Sequence, residues 1–204
     1  MDKKAERGES LRALDRLMEG NRRYVDAVRN DADISRLVRK RTMVDGQRPF
    51  AIVVTCSDSR VVPEHIFMAG VGDLFTVRVA GNVVADTQLA SVVYAASHAG
   101  ARLVLVLGHT CCGAVGAAIA GGAEGCVGAV TDLVRSAIGD ERDDYAACAL
   151  NVRASVDRLL RDAEVRALVE GAGVEVLGGV YRLDSGRVEL LAPAAREARR
   201  PGED

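Results

Sequence analysis

The chain predicts an α/β protein. Its core is a mostly parallel central sheet of about four parallel strands plus an antiparallel edge strand, flanked by helices and preceded by an N-terminal helical arm. Three observations carry this. Apolar runs at 50–55, 73–79, 102–107 and 174–180 are strand-length. Stretches with apolar residues at helical spacing separate these runs, as crossover helices separate parallel strands. Asp184-Ser185-Gly186 is a hairpin turn that returns a last run, 187–191, beside the fourth strand.

Taken in order, Ser10 is placed to cap a helix carrying Leu11, Leu14, Leu17, Met18, Val25 and Val28 on one face. Residues 29–48 are charged and polar, with Asp45-Gly46 as a turn before the first strand. Pro63 opens a short helix through Met68, ended by Gly70 and Gly72. Asp86 or Thr87 caps a helix with Leu89, Val92, Val93 and Ala96 inward, closed by Gly100. Ala114 to Ala120 reads as a buried helix. Within 121–150 only 131–138 has a helical pattern. Val152, Val156, Leu159 and Leu160 mark one more helix and Val165 to Val169 another. The expected organisation is one domain over 1–204, with an arm at about 10–45, a core at about 46–192 and a disordered tail at 194–204.

With 204 residues the chain has enough length for one substantial core and is short for two. Apolar residues make up 49%, yet no run approaches the roughly 20 that a membrane helix needs. A net charge of -2 gives no basic surface for nucleic acid. The first residues lack the apolar segment of a signal peptide, so a cytoplasmic protein is expected. Five cysteines, an odd number, argue against a disulfide framework; Cys126 and Cys148 read as ordinary thiols.

Chemistry concentrates at two strand ends. Cys56-Ser57-Asp58-Ser59-Arg60 follows the first strand, and Gly108-His109-Thr110-Cys111-Cys112-Gly113 follows the third. Ligands in open α/β sheets bind at that carboxyl edge. Cys56, His109 and a nearby cysteine make three zinc ligands with a fourth position open, the catalytic pattern. Residues three apart in a tight turn come to the same side, which selects Cys112 over Cys111 and leaves Cys111 facing the packing behind the loop. Two thiolates and a neutral imidazole cancel the charge of Zn²⁺, so its water should be less acidic than on a three-histidine site. Asp58 and Arg60 read as an ion pair that keeps the carboxylate ionised and aimed at that water; freed from Arg60, Asp58 could fill the open position itself. His65 and His98 read as surface or packing histidines.

These motifs, with Val77-Arg78-Val79-Ala80-Gly81-Asn82, Asn21 near the start and Asn151-Val152-Arg153 later, resemble the β-class carbonic anhydrases over about residues 10–192. The resemblance implies a zinc enzyme that interconverts CO₂ and bicarbonate by zinc-hydroxide attack on CO₂. It implies Cys56, His109 and Cys112 as ligands and an Asp58–Arg60 dyad. It further implies substrate-binding roles for Gln47, for Phe75 and Tyr94 across a subunit interface, and for the Gly113 amide. A homodimer or dimer of dimers is implied, with the N-terminal helix embracing the neighbour. Val79 departs from the family pattern, which has asparagine there. Two other readings stay open: a CS₂ or COS hydrolase on the same scaffold, and a non-catalytic zinc or thiol sensor with a closed metal site or a reactive Cys111.

Overall fold

The computed structural model describes residues 3–27 and 29–192. Val28 and the stretch expected to be a disordered tail lie outside the described residues. Five strands form one sheet in the order β2-β1-β3-β4-β5. They are β1 (Ala51–Thr55), β2 (Leu74–Arg78), β3 (Leu103–His109), β4 (Glu175–Tyr181) and β5 (Val188–Leu190). The first four run parallel, and β5 pairs antiparallel with β4. The expected fold class is therefore the observed one.

Alternating side chains along the strands feed two separate apolar layers. Ile52, Val54, Val104 and Val106 pack under α4 (Asp86–His98), α7 (Asp144–Arg161) and α8 (Ala163–Ala172) through Leu89, Val92, Val152, Leu159 and Val165. Ala51, Val53, Leu103, Leu105 and Leu107 pack under α1 (Lys3–Val25) and α3 (Pro63–Ile66) through Ala13, Leu17, Ile66 and Phe67. β1 and β3 consist wholly of buried residues, as their continuous apolar runs require. A third cluster sits beyond the carboxyl ends of the strands. It joins Cys56, Cys112 and Cys148 to Val115 of α5 (Gly113–Ile119) and Val134 of α6 (Gly125–Ile138).

Several boundaries differ from expectation. The first helix starts at Lys3, so Ser10 lies inside it as a buried residue rather than at its start. Of the stripe expected to meet a neighbouring subunit, Leu14, Leu17 and Met18, joined by Ala13, cover this chain's own sheet, while Leu11 is exposed. The approach is close: a Cβ on Gly20 would lie 1.9 Å from the Phe67 carbonyl oxygen. The polar stretch after it contains α2 (Arg36–Asp45), capped by Ser35 Oγ on Val38 N–H and ended by Gly46 at φ 77°. α2 buries only Val38 and leaves Leu37, Met43 and Val44 exposed. α3 stops at Ile66 rather than Met68. Ala85, not Asp86 or Thr87, precedes α4 as its cap. The region 121–150, expected to be helical only over 131–138, holds the longer α6 and the start of α7, which Asp143 caps through Ala146 N–H.

Candidate metal centre

The register of β1 and β3 builds the site. Thr55 pairs with Leu107, so Cys56 leaves β1 level with Gly108, and His109 is the last residue of β3. Thr55 Oγ1 donates to the Leu107 carbonyl at 2.7 Å and locks the two strand ends together. Cys112 follows after the turn as the cap residue of α5. The two sulfurs and one ring nitrogen of Cys56, His109 and Cys112 all lie within 4.8 Å of one another, and all three residues are buried.

The protonation pattern suits a cation. His109 Nδ1 lies 2.9 Å from the Thr110 carbonyl, which fixes its proton there. Nε2 then presents a lone pair, and it has no hydrogen-bond partner among the described residues although it is buried. Leaving such an atom unmatched is costly unless a ligand completes it. The Cys56 and Cys112 sulfurs are 4.0 Å apart. Two sulfurs at about 2.3 Å from one tetrahedral ion would be about 3.8 Å apart. Cys56 is held down to about 4, first by the hydrogen bond from Cys112 and also by the N–H groups of Asp58 and Gly81. Those amides reach the Cys56 sulfur at 3.4 and 3.3 Å. Cys112 is pushed up, first by its bond to Cys56 and then by burial, while the α5 amides of Val115 and Ala114 oppose the rise. The pair thus shares one proton, which a dication would displace. The donor set of two thiolates and an imidazole suits zinc.

Asp58 lies beside this group, its Oδ2 4.0 Å from His109 Nε2. Arg60 grips it in a fork, Nε to Oδ1 at 3.0 Å and Nη2 to Oδ2 at 2.7 Å, and the Arg60 N–H adds a bond to Oδ1 at 2.9 Å. The guanidinium holds the Asp58 carboxyl well below the usual carboxylate range. Arg78 then clamps the loop, with Nε on the Cys56 carbonyl at 3.0 Å and Nη2 on the Asp58 carbonyl at 2.7 Å.

The sequence model of the carbonic anhydrase family matches residues 51–188. The chain belongs to the β-class carbonic anhydrase family. Carbonic anhydrase 2 of Mycobacterium tuberculosis is 35% identical over 185 residues, covering 85% of this chain and 89% of that one. The β-carbonic anhydrase CafA of Aspergillus fumigatus superposes with TM-score 0.69 at 29% identity, covering 78% and 82% of the two chains. A tetrameric β-carbonic anhydrase of Sordaria macrospora gives TM-score 0.68 at 25% identity, covering 76% of this chain and 87% of that one.

The remaining residues singled out from the β-class resemblance do not all gather here. Gly113 does: it opens α5 directly after Cys112 and is exposed. Gln47 and Tyr94 instead line one cleft of about 840 Å³ with His98 and Gly100, and Phe75 lies 6.3 Å from Tyr94 between ring centroids. Phe75 pairs with Ile52 at the start of β1, three register steps before Thr55. That is about 10 Å along the sheet from the end that carries Cys56. Val79, where the family pattern has asparagine, packs its side chain on the cluster that holds the cysteines. Its backbone continues the β1–β2 pairing, from its N–H to Thr55 at 3.1 Å and its carbonyl to Ser57 at 3.2 Å. Cys111 corrects an expectation: it is exposed, at φ 55°, and fills no packing behind the loop. Cys126 is exposed, as are His65 and His98.

Cys148 is more than an ordinary thiol. Buried and pushed up to about 12 by desolvation, it stays protonated and donates to the His109 carbonyl at 2.9 Å. Asn151, one turn on, donates to the Gly81 carbonyl at 2.7 Å and so steadies the Gly81 amide that faces Cys56. Gly81 has φ 68°, and a Cβ there would lie 3.1 Å from Ala114, so both conformation and space call for glycine. The signal for Cys148 and Asn151 was their spacing of three on one helical face among apolar neighbours. Their targets are backbone groups far along the chain, which no spacing reveals.

Proposed function

We propose that this chain holds one Zn²⁺ through Cys56 Sγ, His109 Nε2 and Cys112 Sγ, and catalyses the reversible hydration of CO₂ to bicarbonate and a proton. The observation that carries the reading is the buried, unmatched His109 Nε2 facing two cysteine sulfurs, with an Arg-held carboxylate at the same edge. Zinc bound there would supply Lewis acidity and lower the pKa of a water toward neutrality.

The chain's own residues do the rest. Two thiolates offset the dication and let the ion reside in a buried site. Asp58 accepts a hydrogen bond from the attacking water and aims its lone pair. Its depressed pKa means that it orients the nucleophile and does not store the released proton, which leaves to buffer. Arg60 fixes the carboxylate plane. The Gly113 amide, at the opening of α5, is placed to hold a substrate oxygen. Gln47, Phe75 and Tyr94 serve the pocket of a second copy of the chain, since they lie at the opposite end of the sheet from the ligands of their own. A homodimer, alone or paired into a tetramer, follows from that division, and a cytoplasmic location is expected. No helix among the described residues is long and apolar enough to cross a membrane.

The test is stopped-flow CO₂ hydration with metal analysis on the same preparation. About one zinc per chain and a rate that a chelator removes and added zinc restores are the expected results. Full hydration activity in metal-free protein would exclude the reading. Stoichiometric zinc without hydration activity would favour the sensor.

A further inference from the structure

Arg60 is held on a second side, away from Asp58. The Nη2 that bonds Asp58 also reaches the Cys111 carbonyl at 3.1 Å. Cys111 adopts φ 55°, a left-handed conformation that residues bearing a Cβ avoid. Some contact must therefore hold it. The Cys111 N–H donates to Asp144 Oδ2 at 2.8 Å, across 33 positions of sequence. Asp144 is the first residue of α7, but it is not needed as the cap. Asp143 fills that role, its Oδ1 accepting from Ala146 N–H at 2.9 Å. The Cys111 thiol is exposed, so only the backbone of this residue joins the chain of contacts.

We propose that Asp144 is a positioning residue for CO₂ hydration: through the Cys111 backbone it aims the carbonyl that fixes Arg60, and so sets the orientation of the Asp58 carboxylate. The inference rests on reading Asp58 and Arg60 as the water-orienting pair. The order of contacts is Asp144 carboxylate, Cys111 N–H, Cys111 carbonyl, Arg60 guanidinium, Asp58 carboxylate. No member of it touches the metal ligands through a side chain except Asp58, which lies 4.0 Å from His109. Loss of Asp144 should therefore disturb the dyad and leave metal binding intact. The bland alternative is that Asp144 only steadies the start of α7. It predicts lost stability without a specific effect on Arg60.

The test compares Asp144→Ala, Asp144→Asn, Arg60→Ala and the double variant Asp144→Ala/Arg60→Ala as zinc-loaded proteins. Asp144→Ala should keep full zinc and a near-native KM while kcat falls about threefold to tenfold, the worth of one hydrogen bond. Asp144→Asn keeps an acceptor oxygen and should retain most of kcat. The double variant should be no slower than Arg60→Ala alone, because both act through one guanidinium. Adding Cys111→Gly to Asp144→Ala should recover part of the rate, since glycine takes a positive φ unaided. A readout independent of turnover is the Arg60 Nε–H resonance in nitrogen-15 NMR, exchange-protected in the native protein and in Asp144→Asn, and lost in Asp144→Ala. Should Asp144→Ala fail to fold, Asp144→Ser suits a helix start but is too short to span the contact, and carries the same test. An unchanged Arg60 resonance with unchanged kcat would overturn the proposal. So would a double variant whose losses simply add, or a fall in kcat that tracks lost zinc. A native protein with zinc but no hydration activity would defeat the functional reading, and the Arg60 resonance would still decide this one.

Discussion

At the residue scale, two adjacent cysteines have opposite fates because the turn between β3 and α5 sends one sulfur inward and one outward. Cys112 Sγ belongs to the buried ligand group, whereas Cys111 is exposed. Cys112→Ser should lose zinc and activity, and Cys111→Ser should keep both; zinc content and CO₂ hydration measured on the two variants check this. The exposure of Cys111 removes the stability cost that a packed thiol would have carried. Arg60→Ala should retain zinc but lose most turnover, because Asp58 is no longer held off the open metal position. A pH effect follows with a definite sign. The folded protein holds the Asp58 pKa below its unfolded value, first through the Arg60 hydrogen bonds. The pair's contribution to stability is complete above the unfolded value, about 4, and fades as the pH falls below it. The Tm gap between the native protein and Arg60→Ala should therefore shrink in acid below about pH 4. A gap that stays constant down to about pH 2 would assign the stabilisation elsewhere.

At the scale of elements, α1 and α6 show how far periodicity can be trusted. The stripe on α1 was readable, but not its destination. Leu17 is fully buried against Leu103, Leu105 and Leu107 of the same chain, while Leu11 on the same helix is 50% exposed. Leu17→Ala should cost about 2–5 kcal/mol in urea unfolding, and Leu11→Ala under about 1 kcal/mol. Equal effects would mean that the stripe is buried between subunits instead. Only the second half of α6, over 131–138, was legible, because Gly125 and Gly128 dilute its start and glycine argues against helix when read locally. Packing of Val134 and Ile138 on α5 and α7 overrides that preference. α2 was hidden differently: its composition is polar, and a side-chain cap at Ser35 and a glycine stop at Gly46 define it more than any buried face does.

At the scale of the whole molecule, the residues assigned to substrate lie at two opposite ends of one sheet. Gly113 and the ligands stand at the carboxyl end; Gln47, Phe75 and Tyr94 stand toward the amino end. On the proposed substrate roles, a working pocket needs two copies. Gln47→Ala and Arg60→Ala should each be impaired alone. Mixed and allowed to exchange subunits, they should regain about a quarter of native activity, because half of the dimers are mixed and each mixed dimer has one intact site of two. Mixing that restores nothing, with exchange confirmed by mass spectrometry, would sink the shared pocket. The exposed Leu37, Met43 and Val44 on α2 add an apolar surface of the kind that subunit contacts cover.

What the sequence determined by itself was the sheet, the two loops at its carboxyl edge and the three residues that could hold a metal ion. Buried parallel strands announce themselves as continuous apolar runs, and a metal site on strand ends needs only a few named residues just past them. Cys56, His109 and Cys112 were legible for that reason, as were Asp58 and Arg60, two apart on one loop. Tertiary structure alone decided which backbone groups hold those residues in place. Arg78 on the Cys56 carbonyl, Cys148 on the His109 carbonyl, Asn151 on the Gly81 carbonyl and Asp144 on the Cys111 amide are all contacts to the main chain over 22 or more positions. Every residue offers the same N–H and C=O, so the identity of the partner leaves no trace in the local pattern. Arg78 is brought there by the pairing of β2 with β1, and Asp144, Cys148 and Asn151 by the packing of α7 against β3.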